Sequence, residues 1–409
     1  MTEETRQKLR EVGLNVLSVI LPKDGTEMTK WAVVACDQFT SEPEYWVSVD
    51  QLVGEAPSTL RLVYPEVFLE NSDKRERILA INQKMEQYLG EGTLEEKFEG
   101  MVAVKRWTAK GQIRKGLVVS LDLERYDYKK GAKSLIRATE GTVESRIPPR
   151  LEIRENAQVE LPHIMVLIDD PEHDVIDPVW NKDWEKIYGF DLMMNGGKIE
   201  GYRIDEEAEW ARIAQELGKL TTEDGFLYAM GDGNHSMATA KAHWERVKVT
   251  LSEEEKVTHP ARFAMVELVN IHDSALEFEP IHRVLFGVDE VDLEKYLSGE
   301  GAEMEVISSG IKKTIRLREM WSQLTVGNLQ IMLDEYLATH EGVKIDYVHG
   351  VLAVEKLASS VGNVGFLLPT LKKEELFPAV EKDGALPRKT FSMGEPQEKR
   401  FYLEARKIR

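Results

Sequence analysis

Six consecutive positions, Gly231-Asp232-Gly233-Asn234-His235-Ser236, gather a carboxylate, a carboxamide, an imidazole and a hydroxyl around two glycines. The carboxylate can take a proton from a hydroxyl or hold a divalent cation, while His235 and Ser236 can donate to an anion. The glycines let the backbone turn tightly and approach a ligand with no Cβ in the way. Residues 226–230 are an apolar run that predicts a strand, and Met237, Ala238, Ala240, Ala242 and Trp244 predict a helix. The first amides of such a helix point back into the turn and favour an anion there. The same residues also suit an ordinary corner, since Asp-Gly and Gly-Asn are turn dipeptides in any protein. The run lacks the Gly-Lys-Ser/Thr of a Walker loop and the third glycine of a dinucleotide fingerprint.

Three other runs carry chemistry-bearing groups. In Arg137-Ala138-Thr139-Glu140-Gly141-Thr142, Glu140 offers a second acid flanked by hydroxyls. Arg146 and Arg150, on either side of Pro148-Pro149, could fork onto phosphate or carboxylate. The alternative is a capped helix start and a solvated charged loop. Glu279-Pro280-Ile281-His282-Arg283 places a His-Arg pair at a strand end, where it either contacts an anion or closes a turn. Leu386-Pro387-Arg388-Lys389-Thr390 sets Lys389 in a cationic loop that is either a binding loop or solvated surface. The remaining histidines lack metal-ligand spacing, and the 169–177 acidic loop has no Ca²⁺ register, so both predict ordinary structure. Cys36 is the single cysteine, and its neighbour Asp37 would raise a thiol pKa, so a reactive cysteine is not expected.

The elements that must position these groups alternate. A first segment, 1–130, predicts a helix, a strand at 31–35, a helix at about 72–89, and strands at 101–107 and 114–123. The middle segment, 131–290, holds a buried strand at 164–168, an amphipathic helix around Trp210, Ile213, Leu217 and Leu220, the glycine-rich corner, and a strand at 263–269. The last segment, 291–409, mixes short strands with helices and closes on an alternating run at 401–405. This rhythm predicts α/β layers, or mixed α+β, rather than a helical bundle.

Bulk composition narrows the function. A chain of 409 residues exceeds one ordinary core, so two or three domains are expected. With 53 basic and 72 acidic residues the formal charge is −19, which repels a polyanionic duplex, so no nucleic-acid partner is expected. The 133–154 stretch runs against that average, with Lys133, Arg137, Arg146, Arg150 and Arg154, and suits one small anion. No apolar run is long enough to span a bilayer and no signal sequence follows Met1, so a cytoplasmic location and no membrane partner are expected.

The Met230-Gly231-Asp232-Gly233-Asn234-His235-Ser236 run with its Ala-rich helix is similar to the Asp-Gly-His-His-Arg box of domain-of-unknown-function family 1015. Further landmarks follow in that family's order: the 37–46 loop, Glu140-x-Thr142 with Arg146, Leu161-Pro162-His163-Ile164-Met165, Pro280-Ile281-His282-Arg283, and Leu386-Pro387-Arg388-Lys389-Thr390. More remotely, the box resembles that of the ParB-like partition proteins, sulfiredoxin and the free-serine kinases. That resemblance implies a central ParB/sulfiredoxin-like domain over 131–290, whose box binds nucleotide phosphates at a helix N-terminus.

It also implies Asp232 and Glu140 as catalytic acids; His235 is a further catalytic candidate, and Gly231, Gly233, Asn234 and Ser236 lie around the phosphate. Asn234 and Ser236 depart from the pattern. The lost Arg at 236 removes a bidentate clamp, leaving backbone amides, His235 and cations such as Arg146 or Arg150. A sulfiredoxin-like role fails for want of a cysteine in the box, and a DNA-binding role fails on charge. The expectation is a phosphotransferase using ATP or ADP, with Mg²⁺, on a hydroxyl metabolite such as free serine. The alternatives are a non-catalytic sensor of a phosphate-bearing small molecule and a phosphatase.

Overall fold

Phe263–Asn270 is buried at every position, which is how a strand covered on both faces must look. In the computed structural model, which describes residues 1–108, 110–129 and 131–409, this strand lies inside a mixed sheet. The sheet's longer strands are β1 (Leu17–Pro22), β2 (Leu94–Trp107), β3 (Ile113–Asp122), β4 (Met165–Ile168), β5 (Lys186–Asp191), β6 (Lys198–Ile204), β7 (Tyr228–Asp232) and β8 (Phe263–Asn270). Their order is β5-β6-β2-β3-β8-β4-β7, with β1 beside β2. Pairing is antiparallel except where β8 meets β4, and where the short strand Ile136–Arg137 meets β7 on one side and Tyr126–Asp127 on the other.

Alternation along β2 explains why both faces are covered. Val102 and Val104 join one apolar core while Met101 and Ala103 join another, as the two-residue period of a strand dictates. The second core takes Trp210, Ile213, Ala214 and Leu217 from α1 (Glu207–Leu220). It also takes Met237, Ala240 and Trp244 from α2 (Asn234–Val247). The first takes Trp31, Trp46 and Met85, and also Phe401 and Tyr402 from the far end of the chain. The mixed α/β layering expected from the sequence is therefore the architecture.

The chain divides into two compact units. The first comprises Met1–Ala138, Thr142–Leu276 and Glu395–Arg409. The second comprises Thr139–Gly141 and Glu277–Gly394. It is built on a sheet of β9 (Phe278–Phe286), β10 (Ser298–Ser308), β11 (Ile311–Leu317), β12 (Lys344–His349) and β13 (Asn363–Leu367), in the order β11-β10-β13-β9-β12.

Local expectations are corrected at three places. Residues 31–35 do not form one strand: Met28–Trp31 is a helical turn and only Val33–Val34 pairs, with Phe401–Tyr402. The 401–405 run is buried throughout rather than alternating, because Glu404 points inward to Arg400 and Tyr188. The helix after the glycine corner begins at Asn234, not Met237. Gly233, at φ 78°, turns the chain within one residue, so the box residues Asn234, His235 and Ser236 form its first turn.

Candidate functional site

The corner is shaped by two backbone devices. The register of β7 against β4 slips between Met230 and Asp232, a bulge centred on Gly231 that re-aims the aspartate. Gly233 then passes so close to the preceding segment that a Cβ there would lie 3.0 Å from Ile164 Cα. Both the left-handed φ and this contact demand glycine. No side chain caps the helix that follows.

Asp232 is engaged on both oxygens. Oδ1 accepts from the Gly233 amide at 2.8 Å, and Oδ2 lies 3.1 Å from Lys399 Nζ. Burial alone would raise its pKa, but the Lys399 ammonium, the Gly233 amide and His163 together hold it below the usual carboxylate range. Lys399 is correspondingly raised, since pairing with Asp232 outweighs its own desolvation. Asp37 is pushed the other way, up, by burial first and then by the charges of Asp232 and Glu66.

Beside this corner lies a cavity of about 160 Å³, wholly within the first unit. Asp37, His163, Ser236, Arg150, Glu66 and Tyr402 are on its wall. Ser236 Oγ and His163 Nε2 are 2.6 Å apart, and the His163 ring tilts over Tyr402. Arg150 pairs with Glu66 and donates to the Arg146 carbonyl at 2.9 Å. Cys36 Sγ contacts the Tyr402 hydroxyl at 2.9 Å, and burial pushes its thiol up to about 12. The expectation of an inert cysteine fits that environment.

The residues singled out from sequence fall into two groups. Gly231, Asp232, Gly233, Asn234, His235 and Ser236 are together in the first unit, where Thr142, Arg146 and Arg150 also lie. Asn234 Oδ1 and Thr142 Oγ1 are buried with no hydrogen-bond partner among the described residues. His235 contributes its carbonyl to Thr239 Oγ1 at 2.6 Å, and Arg146 is exposed.

Glu140, His282, Arg283 and Lys389 are brought together in the second unit. There Glu140 accepts from the Thr390 amide at 3.3 Å and is raised by burial. His282 Nδ1 accepts from the Leu368 amide at 3.0 Å, and burial lowers its pKa. Arg283, fully buried, donates to Gln330 Oε1 and to the carbonyls of Ile281, Arg388 and Lys389. Its guanidinium thus ties the 388–389 loop to β9, and Lys389 itself is exposed in that loop.

Sequence reasoning passed over Asp37, His163 and Lys399. His163 and Asp37 were visible only as landmarks of order along the chain, and Lys399 carried no local signal. Among the described residues, no group of three or more His, Cys, Asp or Glu side chains could hold a metal ion. No helix there is long and apolar enough to cross a membrane.

A family model described as protein of unknown function (DUF1015) matches residues 20–407. No curated protein matches the chain. Among solved structures, a mutant free serine kinase in complex with AMP is similar at TM-score 0.40 and 12% identity, covering 71% of this chain and 92% of its own. A conserved hypothetical protein from Pyrococcus furiosus is similar at TM-score 0.34 and 12% identity, covering 71% and 95%. C-terminally truncated SbnI from Staphylococcus aureus is similar at TM-score 0.35 and 11% identity, covering 68% and 82%.

Proposed function

The chain belongs to the DUF1015 family, and from that premise we propose that the Asp232 corner is a phosphoryl-transfer site for a small molecule. One observation carries this reading. An ionised carboxylate, Asp232, is paired 3.1 Å from the ammonium of Lys399 at the start of a long helix that no side chain caps. A phosphate at that helix start meets the positive end of the helix dipole and draws Lys399 onto its oxygens. Helix-terminal attraction alone is worth only about 0.3–2 kcal/mol, so Lys399 is the necessary second contribution. Its departure frees Asp232 Oδ2.

The freed carboxylate takes the proton of an acceptor hydroxyl as the new P–O bond forms and the bond to the leaving oxygen breaks. Lys399 then faces the charge that collects on the leaving group. In this reading the donor is ATP or ADP. Mg²⁺ arriving on the phosphates would spread their charge, and Asp232 is the protein carboxylate at this corner that would share it.

A second reading has its own observation. Ser236 Oγ, 2.6 Å from His163 Nε2, has the geometry of a hydroxyl with an adjacent base, which favours hydrolysis of a phosphorylated metabolite through a serine-bound phosphoryl group. A sensor without turnover uses the same pocket and makes no product.

The deciding assay follows phosphate transfer from ATP and ADP to a panel of hydroxyl metabolites, L-serine included. Asp232→Asn is expected to abolish turnover while calorimetry still registers nucleotide binding. Full transfer by Asp232→Asn would remove Asp232 as the base.

A further inference from the structure

Two buried polar atoms on the cavity wall lack a hydrogen-bond partner among the described residues, and they belong to side chains of opposite charge. Asp37 Oδ1 is an acceptor without a donor, and Arg154 Nε is a donor without an acceptor. Both residues line the cavity of about 160 Å³. The other ionised side chains there are matched within the protein. Arg150 meets Glu66, and Glu160 meets both Arg154, through Nη2, and Arg406.

Two arginines on one glutamate leave a positive charge over at the Arg154 end, whereas Asp37 leaves a negative one at its own. Of the two groups whose charge favours the Asp37 carboxylate, His163 holds the Ser236 hydroxyl at 2.6 Å and Lys399 is already paired with Asp232. Buried charge left without a partner is costly, and the interior supplies none here. Much of the remaining wall is hydrocarbon, including Leu62, Met85, Val159 and Met265.

We propose that this cavity binds a free zwitterionic amino acid with a hydrocarbon side chain, its ammonium on Asp37 and its carboxylate on Arg154. Size agrees with a small guest: an apolar cavity of roughly 150 Å³ takes a benzene-sized molecule, which is the scale of a leucine side chain and too small for a whole nucleotide. The carboxylate accepts from Arg154 Nε, and the ammonium donates to Asp37 Oδ1, so both orphan atoms are satisfied at once. The proposal rests on the reading of the Asp232 corner as a ligand site, because Ser236 and His163 belong to both. Its test needs no phosphoryl donor, so loss of transfer and loss of amino-acid binding are separate results.

Calorimetry on the full chain compares L-leucine with 4-methylpentanoate, which lacks the amine, and isopentylamine, which lacks the carboxylate. L-leucine is expected to bind at least about tenfold more tightly than either, as one charge-assisted hydrogen bond is worth a decade or more. Asp37→Asn should bring L-leucine down to the affinity of 4-methylpentanoate. Should that variant fail to fold, the three ligands on the natural chain decide alone. Equal binding of the one-ended analogues, or no binding of L-leucine, overturns the proposal. So does tighter binding of L-serine than of L-leucine, or binding of MgCl₂ alone that Asp37→Asn removes.

Discussion

Asp232 Oδ2 and Lys399 Nζ lie 3.1 Å apart, with 22% and 15% of their side chains exposed. That burial puts the pair well beyond a surface ion pair, whose worth is usually near zero. Lys399→Met would leave the aspartate desolvated with no cation. The expected cost is about 1–3 kcal/mol, read as a lower denaturation midpoint. Because Asp232 is depressed in the folded state, its contribution is present above the ordinary carboxylate range and lost as pH falls through the folded value. The variant should lose that acid-limb dependence. Phosphate binding should weaken with it, and unchanged phosphate affinity would detach Lys399 from the site.

Gly233→Ala tests the corner itself. The residue has φ +78°, and the new Cβ would press on the backbone of Ile164 at 3.0 Å from its Cα, so that segment would have to give by a few tenths of an ångström. Gly225→Ala is the matched control, with φ +75° and open space around it. The control should cost about 1–2 kcal/mol for the left-handed conformation alone, and Gly233→Ala roughly 2–4 kcal/mol. Equal losses in the two variants would show that the close approach to Ile164 is unimportant.

These two residues also mark what a sequence can and cannot display. Gly231, Asp232 and Gly233 announce a tight corner at a strand end, because Asp-Gly and Gly-Asn dipeptides mark turns. The strand at Phe263–Asn270 was legible from its largely apolar run, which only Glu267 interrupts before Asn270. Lys399 was not, since its role depends on the chain returning to the first unit after Gly394, and no local pattern encodes a return. Nor does a local pattern show that three residues, Thr139–Gly141, belong to the second unit, where Glu140 bridges to Leu386. Arg283 looked like an anion ligand because its charge is visible in sequence, and the carbonyls it binds are not. The start of α2 was misplaced by three residues for a related reason. The αL turn at Gly233 absorbs the whole change of direction, leaving no loop between strand and helix.

Ser236→Ala separates transfer from hydrolysis. If Asp232 is the base, removing the hydroxyl 2.6 Å from His163 Nε2 costs less than about tenfold in turnover, the worth of one neutral hydrogen bond. If Ser236 carries the phosphoryl group, turnover is abolished, and a radiolabelled donor no longer labels the protein. Labelling that survives Ser236→Ala excludes the serine-bound intermediate.

Cys36 should resist alkylation in the folded protein. Its thiol is pushed up to about 12, by burial before any other cause, so the thiolate that reacts with iodoacetamide is scarce at pH 8. Mass spectrometry should find the native chain largely unlabelled and the urea-unfolded chain fully labelled within the same interval. Equal labelling would mean that the contact with Tyr402 opens readily, and with it one wall of the cavity.

Acid should withdraw the contributions of His243 and Glu160 in two separate pH windows, in addition to the loss at Asp232. His243 is held at about 4, below its ordinary 6.5, by burial and then by Arg154 and Arg409. The unfolded chain therefore binds that proton first, and stability declines as pH drops from about 6.5 towards 4. Burial would raise Glu160, but Arg406 and Arg154 overcome it and hold the carboxylate at about 2, below 4.5. Its share, on the order of 3 kcal/mol, is complete above pH 4.5 and lost as pH falls towards 2. Glu160→Gln should flatten only the lower step and His243→Gln only the upper one, in urea titrations at successive pH values. At neutral pH Glu160→Gln should also cost roughly 3–5 kcal/mol, because two arginines lose their shared partner. A lower decline no shallower in Glu160→Gln than in the natural chain would mean that the pair with Arg406 does not hold that carboxylate ionised.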